Sequence, residues 1–241
     1  MKKSINSFML KIMVVLLMGI YSCRAFAGSV DSDLLKERKL YPKHWWQPCD
    51  LKTAPDWEIL TQDAKPGEVI LSKRNELGIL SNFGETPFEY HGKKYQSVEG
   101  FWQMMKYPDG PEDPRMKPDK VNWSYTREKV SQMIAFPAKE AGNIGTENMK
   151  KLGIDWVTFE GKRFPYRVYN KNGEHCKIIN EVLRAKIAQN PKARAALLST
   201  GNLILKPDHK EVNPPPAWKY YDIYMDIRKE YQDKAKLEDK K

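Results

Sequence analysis

The chain has 241 residues, of which 41% are hydrophobic and 30% are charged, and its formal net charge is +10 at pH 7. This composition excludes a disordered chain and a low-complexity one, and it predicts a globular protein with one large core. Lysines and arginines are interleaved with acidic residues along most of the chain. Specific nucleic-acid binding is therefore not expected.

Residues 1–27 have the features of a cleaved secretory signal peptide. Two lysines precede an apolar run over residues 12–18, and the sequence AFA at residues 25–27 has the small-x-small pattern of a signal-peptidase site. The run is shorter than the roughly 20 residues that span a bilayer. We expect cleavage after Ala27, a periplasmic or secreted protein, and no stable membrane insertion. Lipidation of Cys23 is an alternative that its flanking residues match poorly.

The mature chain begins with a tryptophan-rich arm, residues 28–66, which we expect to pack over the core. The main domain follows at residues 67–232. It starts with a strand candidate at residues 68–71 and a hairpin at residues 88–95, in which His91-Gly92 is suited to the turn.

Helices are predicted for most of the remaining domain. In chain order they cover residues 97 to about 107, 126–135, a segment starting at Pro137, 146–152, 173–189, 193–198, and 219 to about 232. A brief strand lies at residues 203–205, and a charged tail, residues 233–241, follows the last helix. These elements predict the α+β class: a predominantly helical single domain with a small antiparallel sheet.

One predicted helix carries a polar stripe. Glu99, Gln103 and Lys106 are spaced i, i+4 and i+7, so they share a face, and Trp102 borders it. In one interpretation these three residues are an ordinary row of interacting side chains on the protein surface, and the negative charge of Glu99 complements the helix dipole. The upstream loop GILSNFG, which contains Asn82, favours a ligand site instead, because two polar residues interrupt an apolar run between glycines.

The segment LSNFGETPFEYHGKKYQSVEGFWQMMKY, residues 80–107, resembles the NADAR or YbiA-like family. Members of that family carry L-S-N-F, P-F, G-x-x-Y and S-x-E-H-x-x-Q-x-x-K in this order and spacing. Similar matches are IDW at residues 154–156, LRAKIAQNPKARAALLSTGN at residues 183–202 and YMDIRKE at residues 224–230. The resemblance extends over about residues 68 to 231.

The resemblance implies a mainly helical α+β domain that cleaves N-glycosidic bonds in riboflavin-pathway intermediates or in ADP-ribose attached to a base. No metal and no other cofactor is expected. The implied catalytic residues are Glu99 and Asp155, and the implied substrate-binding residues are Asn82, Gln103, Lys106 and Trp156. Trp102, beside the stripe, is a further candidate for stacking on a substrate ring.

These residue types suit the chemistry. Breaking a sugar C1–N bond passes through an oxocarbenium-like state, which a carboxylate beneath C1 stabilises. Glu99 is the candidate for this role. Lys106 would hold a phosphate or carboxylate of the substrate, and the two amides would bind its ribose or base.

Three departures from the family pattern leave alternatives open. Gly100 stands where the family has histidine after the glutamate, and an arginine expected before residues 154–156 is missing. The family's C-terminal D-x-x-W-G-x-G and G-x-N-x-L-G elements are also absent. The first hypothesis is an exported N-glycosidase acting on a nucleotide-like or ADP-ribosyl substrate. The alternatives are a catalytically impaired module that binds an ADP-ribose-like ligand, and a secreted effector.

Two cysteines, Cys49 and Cys176, remain after removal of the leader. In an oxidising compartment they are candidates for a long-range disulfide. An alternative is a metal site formed by the two cysteines together with His44 and His175. Adjacent residues such as His175 and Cys176 rarely bind one ion together, so no metal is expected.

Cleavage after Ala27 removes four basic residues and no acidic one, which lowers the formal net charge from +10 to +6. Expression of the full chain in a secreting bacterium should therefore yield a mature protein that begins at Gly28. Intact-mass measurement of protein from the periplasm and from the medium checks this, and recovery of the uncut chain from the cytoplasm would contradict it.

Overall fold

Six α-helices and six short strands make up the regular structure of residues 38–117 and 119–239, which the computed structural model describes. The helices are α1 (Val98–Met104), α2 (Arg127–Ser131), α3 (Ala135–Lys151), α4 (Glu174–Gln189), α5 (Pro191–Ser199) and α6 (Tyr220–Glu238). The strands are β1 (Glu68–Ile70), β2 (Phe88–Tyr90), β3 (Lys93–Tyr95), β4 (Trp156–Phe159), β5 (Lys162–Pro165) and β6 (Ile204–Lys206). The strands join in pairs, two of them antiparallel. The predicted α+β class, mainly helical with small antiparallel sheets, is confirmed.

The two antiparallel hairpins use the same kind of turn. His91 and Gly92 join β2 to β3 with φ angles of 49° and 73°, and Glu160 and Gly161 join β4 to β5 with 48° and 73°. Two successive residues with positive φ form the turn whose twist matches that of paired strands. The β2–β3 hairpin was predicted. The β4–β5 hairpin lies outside the predicted elements, because glutamate is uncommon at positive φ and gives little turn signal.

The third strand pair is parallel and lies beneath the arm. β1 and β6 are distant in the chain but pair over three residues each. The described part of the arm packs over them. The Trp46 indole donates a hydrogen bond to Glu68 O at 2.9 Å, and the buried Trp45 indole donates to Glu76 Oε1 at 2.7 Å.

The helix α4 lies at the centre of the hydrophobic core. The apolar stripe predicted on this segment is buried in full: Ile178, Ile179, Val182, Leu183 and Ile187. One cluster of buried residues joins this stripe to the arm, to α1, to both hairpins and to α6. The described residues therefore share a single core.

The helix α3 replaces two predicted helices, so the prediction of separate segments starting at Pro137 and at Thr146 is wrong. Gly142 and Gly145 interrupt the helical pattern in the sequence, but a glycine inside a helix costs only about 1 kcal/mol. Here both glycines face α1. A Cβ atom on Gly142 would lie 1.9 Å from Gln103 Oε1, so any side chain there would displace the Gln103 amide from its present position.

The last helix, α6, is longer than predicted. Its end was expected near Gln232, but it continues to Glu238. Lys229 Nζ lies 2.5 Å from the Asp233 carboxylate at spacing i, i+4, and Lys236 Nζ lies 4.0 Å from the same group. These pairs support the additional turns, although solvent screens exposed pairs of this kind and makes their contribution small.

The proposed signal peptide, residues 1–27, lies outside the described residues. Of the helices found in residues 38–117 and 119–239, none has the length and apolarity needed to cross a bilayer.

Gly100 marks the contact between α1 and the end of α2. A Cβ atom at this position would lie 2.4 Å from Met133 O and 2.9 Å from Val130 O, both of which are backbone atoms. Any side chain would force the two segments apart. Glycine is therefore the residue that fits between α1 and the segment at the end of α2.

Gly100→Ala should lower the free energy of unfolding by about 1 to 3 kcal/mol, the usual cost of overpacking a core. Gly100→His should destabilise the protein further. Urea denaturation measures both effects. The control is Gly173→Ala, whose Cβ meets its nearest atom, Asn170 O, only at 3.2 Å. A Gly100→Ala variant no less stable than this control would contradict the packing account.

Candidate active site

The polar stripe predicted on α1 forms the floor of the site. Glu99, Gln103 and Lys106 are all buried, with 7%, 3% and 7% of their surface exposed. Gln103 Nε2 donates to Glu99 Oε1 at 2.8 Å, which orients both side chains. Lys106 follows α1 in the next turn, and its Nζ donates to Thr146 Oγ1 at 2.8 Å and to Gly142 O at 3.1 Å. The stripe is a connected buried group, unlike an exposed surface ladder.

The N-terminal end of α1 is held by side chains and by a neighbouring loop. Ser97 Oγ accepts a hydrogen bond from Gly100 N at 2.9 Å and donates one to Met133 O at 2.8 Å. Glu99 N donates to Asn82 O at 3.0 Å. The loop that carries Asn82 is itself anchored from α4. Because these hydrogen bonds hold the backbone around Glu99 and the loop next to it, the Glu99 carboxylate has a fixed position relative to Asn82.

That anchor is Lys186, a fully buried lysine on α4. Its Nζ donates to Ser81 O at 2.8 Å and lies 5.8 Å from the centre of the Tyr224 ring. Burial lowers the pKa of Lys186 to about 7. Lys186 therefore connects the α4 core to the loop that approaches Glu99.

Two buried arginines hold the C-terminal end of α1. Arg115 Nη1 donates to Met105 O at 2.8 Å, and Arg127 Nη1 donates to Tyr107 O at 2.9 Å and to Met104 O at 3.2 Å. The last carbonyls of a helix have no partner within the helix itself. The guanidinium groups supply these partners and so fix the direction in which the stripe faces.

The stripe opens into a cavity of about 490 Å³. This volume lies within the range of small-molecule sites. The cavity is lined by these residues predicted for the site: Asn82, Glu99, Trp102, Gln103 and Lys106. The structure thus brings together the loop residue, the stripe and its neighbouring tryptophan.

Aromatic side chains that were not predicted for the site form much of the cavity wall. They are Trp57, Phe83, Phe136, Tyr166, Trp218 and Tyr220. Trp102 lies in contact with the Trp218 ring, with ring centres 5.6 Å apart, and with the buried His175 ring at 4.4 Å. The wall therefore offers flat apolar surfaces suited to a planar ligand. Phe83 belongs to the L-S-N-F match, whereas the other five residues lie outside the matched motifs, which give no signal of their role.

Cationic side chains also surround the cavity, and these were not predicted for the site either. They are Lys73, Lys139, Arg167, His209 and Lys210. The acidic side chains that line the same cavity are Glu99 and Glu211. The excess of positive charge favours an anionic ligand. A cavity with aromatic and cationic walls suits a phosphorylated heteroaromatic molecule.

The charge state of Lys106 is set by its surroundings. Burial, together with the charges of Lys139 and Arg167, lowers the pKa of Lys106 to about 7, against the opposing effect of Glu99. Lys106 is therefore divided between its charged and neutral forms near neutral pH. An anion bound beside it would favour the charged form.

His209 is charged at neutral pH. Burial alone would lower its pKa, but hydrogen bonds to Asp208 and Glu211 outweigh that effect and raise the pKa of His209 to about 9. Its Nδ1 lies 3.3 Å from Asp208 Oδ1, and its Nε2 lies 3.3 Å from Glu211 Oε1. Asp208 also binds Lys73, with Nζ–O distances of 2.6 Å. Asp208, His209 and Glu211 thus add a charged network to the cavity.

Four residues lining the cavity carry buried polar atoms that find no hydrogen-bond partner among the described residues. These atoms are Asn82 Oδ1, Gln103 Oε1, Trp218 Nε1 and Tyr220 OH. Buried polar atoms in proteins are nearly always bonded to protein, water or ligand, so these four atoms are available to a polar ligand. Two of the atoms can only accept and one can only donate, which suits a ligand with both hydroxyl and carbonyl groups.

Asp155 and Trp156, which were also predicted for the site, lie outside this group of residues. Asp155 is exposed, and neither residue lines the cavity. Trp156 begins β4, where its ring contacts the guanidinium groups of Arg115 and Arg163 at 4.9 and 4.6 Å. In β4, Trp156 pairs with Pro165 of β5.

The two cysteines are free, so the structure does not contain the proposed Cys49–Cys176 disulfide. Cys49 lies in the arm, with its Sγ 3.4 Å from Thr61 Oγ1, whereas Cys176 lies in the first turn of α4. Within residues 38–117 and 119–239, no group of three or more His, Cys, Asp or Glu side chains is arranged to hold a metal ion.

No protein-family model matches the chain. No curated protein matches it either. Among solved structures, the chain is similar to the NMR structure of the E. coli protein YbiA, with a TM-score of 0.41 and 16% sequence identity over 69% of this chain and 86% of that one. This likeness concerns the fold alone.

The environment of Lys106 leads to a prediction about its pKa. Lys139→Met should raise the pKa of Lys106, because it removes a like charge, and Glu99→Gln should lower it, because it removes an opposite charge. NMR titration of isotope-labelled lysine measures both. Lys186 is the internal control, since burial alone lowers its pKa. Equal changes at Lys106 and Lys186 would contradict this account.

Proposed function

We propose that the protein hydrolyses an N-glycosidic bond in a nucleotide-like or ADP-ribosyl substrate. The observation that carries the proposal is the buried Glu99 carboxylate on the floor of an aromatic and cationic cavity, oriented by Gln103. The motif resemblance over residues 80–107 supports the same reaction, because the stripe occupies the matching positions.

The reaction would proceed by breaking the bond between sugar C1 and the base nitrogen, with the electron pair leaving on that nitrogen. Glu99 would stabilise the positive charge that develops on the sugar ring. Water would then add to C1, releasing a proton that Glu99 can accept and that finally resides on the departing base. The products are a free base and a sugar with a hydroxyl at C1.

The remaining floor residues would bind the substrate. Asn82 and Gln103 offer unpartnered oxygen atoms to ribose hydroxyls. Lys106, with its pKa near 7, would gain full charge beside a phosphate or carboxylate of the substrate. Trp102 offers a ring face for the base. Each role uses a side chain that lines the cavity, and Asp155 has no part in it.

Glu99→Gln should lower the rate of base release by about a hundredfold or more, since removal of one electrostatic stabiliser commonly costs this much. Base release from a nucleoside 5′-phosphate and from an ADP-ribosylated nucleoside is followed by chromatography, and thermal unfolding tests whether the variant is folded. Glu140→Gln, an exposed glutamate on α3 outside the cavity, is the matched control. Full activity in a folded Glu99→Gln variant would eliminate the mechanism.

A second candidate function is binding without turnover. The observation that favours it is Gly100, since backbone atoms occupy the space that the family's histidine would require. Calorimetry with ADP-ribose, run beside the hydrolysis assay, separates the two functions. Heat of binding without product would support the binding module, and product formation would exclude it.

Export is part of the proposal and rests on the sequence of residues 1–27 alone. An exported enzyme of this class would meet substrates in the periplasm or outside the cell. An effector acting on another cell's molecules remains the alternative for an exported chain, and recovery of the protein from culture medium would favour it over a periplasmic role.

A further inference from the structure

Lys186 is a charged residue type placed inside the hydrophobic core. It lies on α4 next to Ile187 of the buried stripe, and 0% of its surface is exposed. Among residues 38–117 and 119–239 its amine has one hydrogen-bond partner, Ser81 O at 2.8 Å, and no acidic side chain pairs with it. A buried amine of this kind is unfavourable, because it loses hydration without gaining an opposite charge. Lys186 therefore needs an explanation other than packing.

Lys186 and Glu99 bind consecutive carbonyl groups of one loop. Lys186 Nζ donates to Ser81 O, and Glu99 N donates to Asn82 O at 3.0 Å. Glu99 N belongs to the first turn of α1, where backbone N–H groups have no partner within the helix. The other hydrogen bonds that Ser81 makes in the described part of the chain stay within residues 78–84. The loop is thus attached to α4 on one side and to α1 on the other.

The hydrogen bond from Lys186 is not required to satisfy the carbonyl group that accepts it. Ser81 O also accepts from Gly84 N at 3.1 Å. An apolar side chain of similar length at position 186 would avoid the cost of burying an amine and would leave no carbonyl without a partner. The stability of the fold therefore favours an apolar residue here. A buried group that lowers stability next to a site is typical of residues that serve activity.

We propose that Lys186 is a positioning residue for Glu99. It holds the peptide group between Ser81 and Asn82, so that Asn82 O fixes the first turn of α1 and the Asn82 side chain lines the cavity. Lys186 itself does not line the cavity, and it acts on the site only through this loop. The inference rests on the proposed function for its effect on turnover, whereas the effect on the loop is measurable without turnover.

Lys186→Met in the full chain tests the proposal, because methionine is unbranched, of similar length and apolar. The urea concentration at the midpoint of unfolding should rise. Amide hydrogen exchange at Glu99 should become at least about tenfold faster, since the loop that accepts its hydrogen bond is released from α4. The kcat for base release should fall about tenfold, because small displacements of a catalytic group slow reactions strongly.

Tyr224→Phe is the matched control. It removes a buried hydroxyl that has no hydrogen-bond partner among the described residues, from the ring beside Lys186, and it leaves the bond to Ser81 in place. It should change neither the exchange at Glu99 nor kcat. A lower urea midpoint in Lys186→Met with faster exchange at all core amides would show a merely structural role and overturn the proposal. Unchanged exchange at Glu99 in a folded Lys186→Met variant would also overturn it.

The unchanged protein supplies a second measurement, which decides the matter even if Lys186→Met does not fold. Loop amides usually exchange through local openings that need less free energy than opening of the core. If Lys186 joins the loop to α4, the amides of Gly84 and Glu99 should exchange with the same dependence on urea as the α4 amides. Fast exchange at both, independent of urea, would overturn the proposal. A failure of the proposed function is distinguishable, since it would appear as no base release by the unchanged protein.

Discussion

The position of a seven-residue helix, α1, is the constraint on which the rest of the site depends. A helix this short is not stable alone, because too few hydrogen bonds offset the cost of nucleation. Ser97 caps its first turn. The buried guanidinium groups of Arg115 and Arg127 donate hydrogen bonds to carbonyl oxygens just beyond its C-terminal end. With both ends satisfied, α1 can hold a polar stripe inside the protein without exposing its backbone to water.

Burying that stripe has an electrostatic consequence. Lys106 loses hydration and lies near other cations, so its ammonium is only marginally favoured, whereas the Glu99 carboxylate is held by the Gln103 amide. Charged groups that are already oriented by hydrogen bonds need little rearrangement when a ligand arrives. The glycines of α3 lie opposite the stripe, where a Cβ atom on Gly142 would meet the Gln103 amide and one on Gly145 would meet the Lys106 side chain.

Local patterns predicted the parts of this protein that depend on neighbouring residues in the chain. The β2–β3 hairpin and α4 followed from turn chemistry and helical period, and Glu99, Gln103 and Lys106 followed from their spacing. The motif resemblance added Asp155, which does not line the cavity, because a motif match carries no information about tertiary contacts. Local patterns also divided α3 into segments starting at Pro137 and Thr146, since a glycine that breaks a helix and one that lies at a helix contact look alike in sequence.

The sequence by itself determined that three polar side chains lie on one helical face, because the geometry of the helix relates residues three and four apart. It could not determine what that face meets. Trp57 and His209 reach the cavity because residues 57–59 and 208–210 pair across the fold. The need for a residue without a side chain at Gly100 becomes clear only from the position of Met133 O beside it. Such contacts join segments far apart in the chain, so only the tertiary structure decided that the stripe became the floor of a charged aromatic cavity.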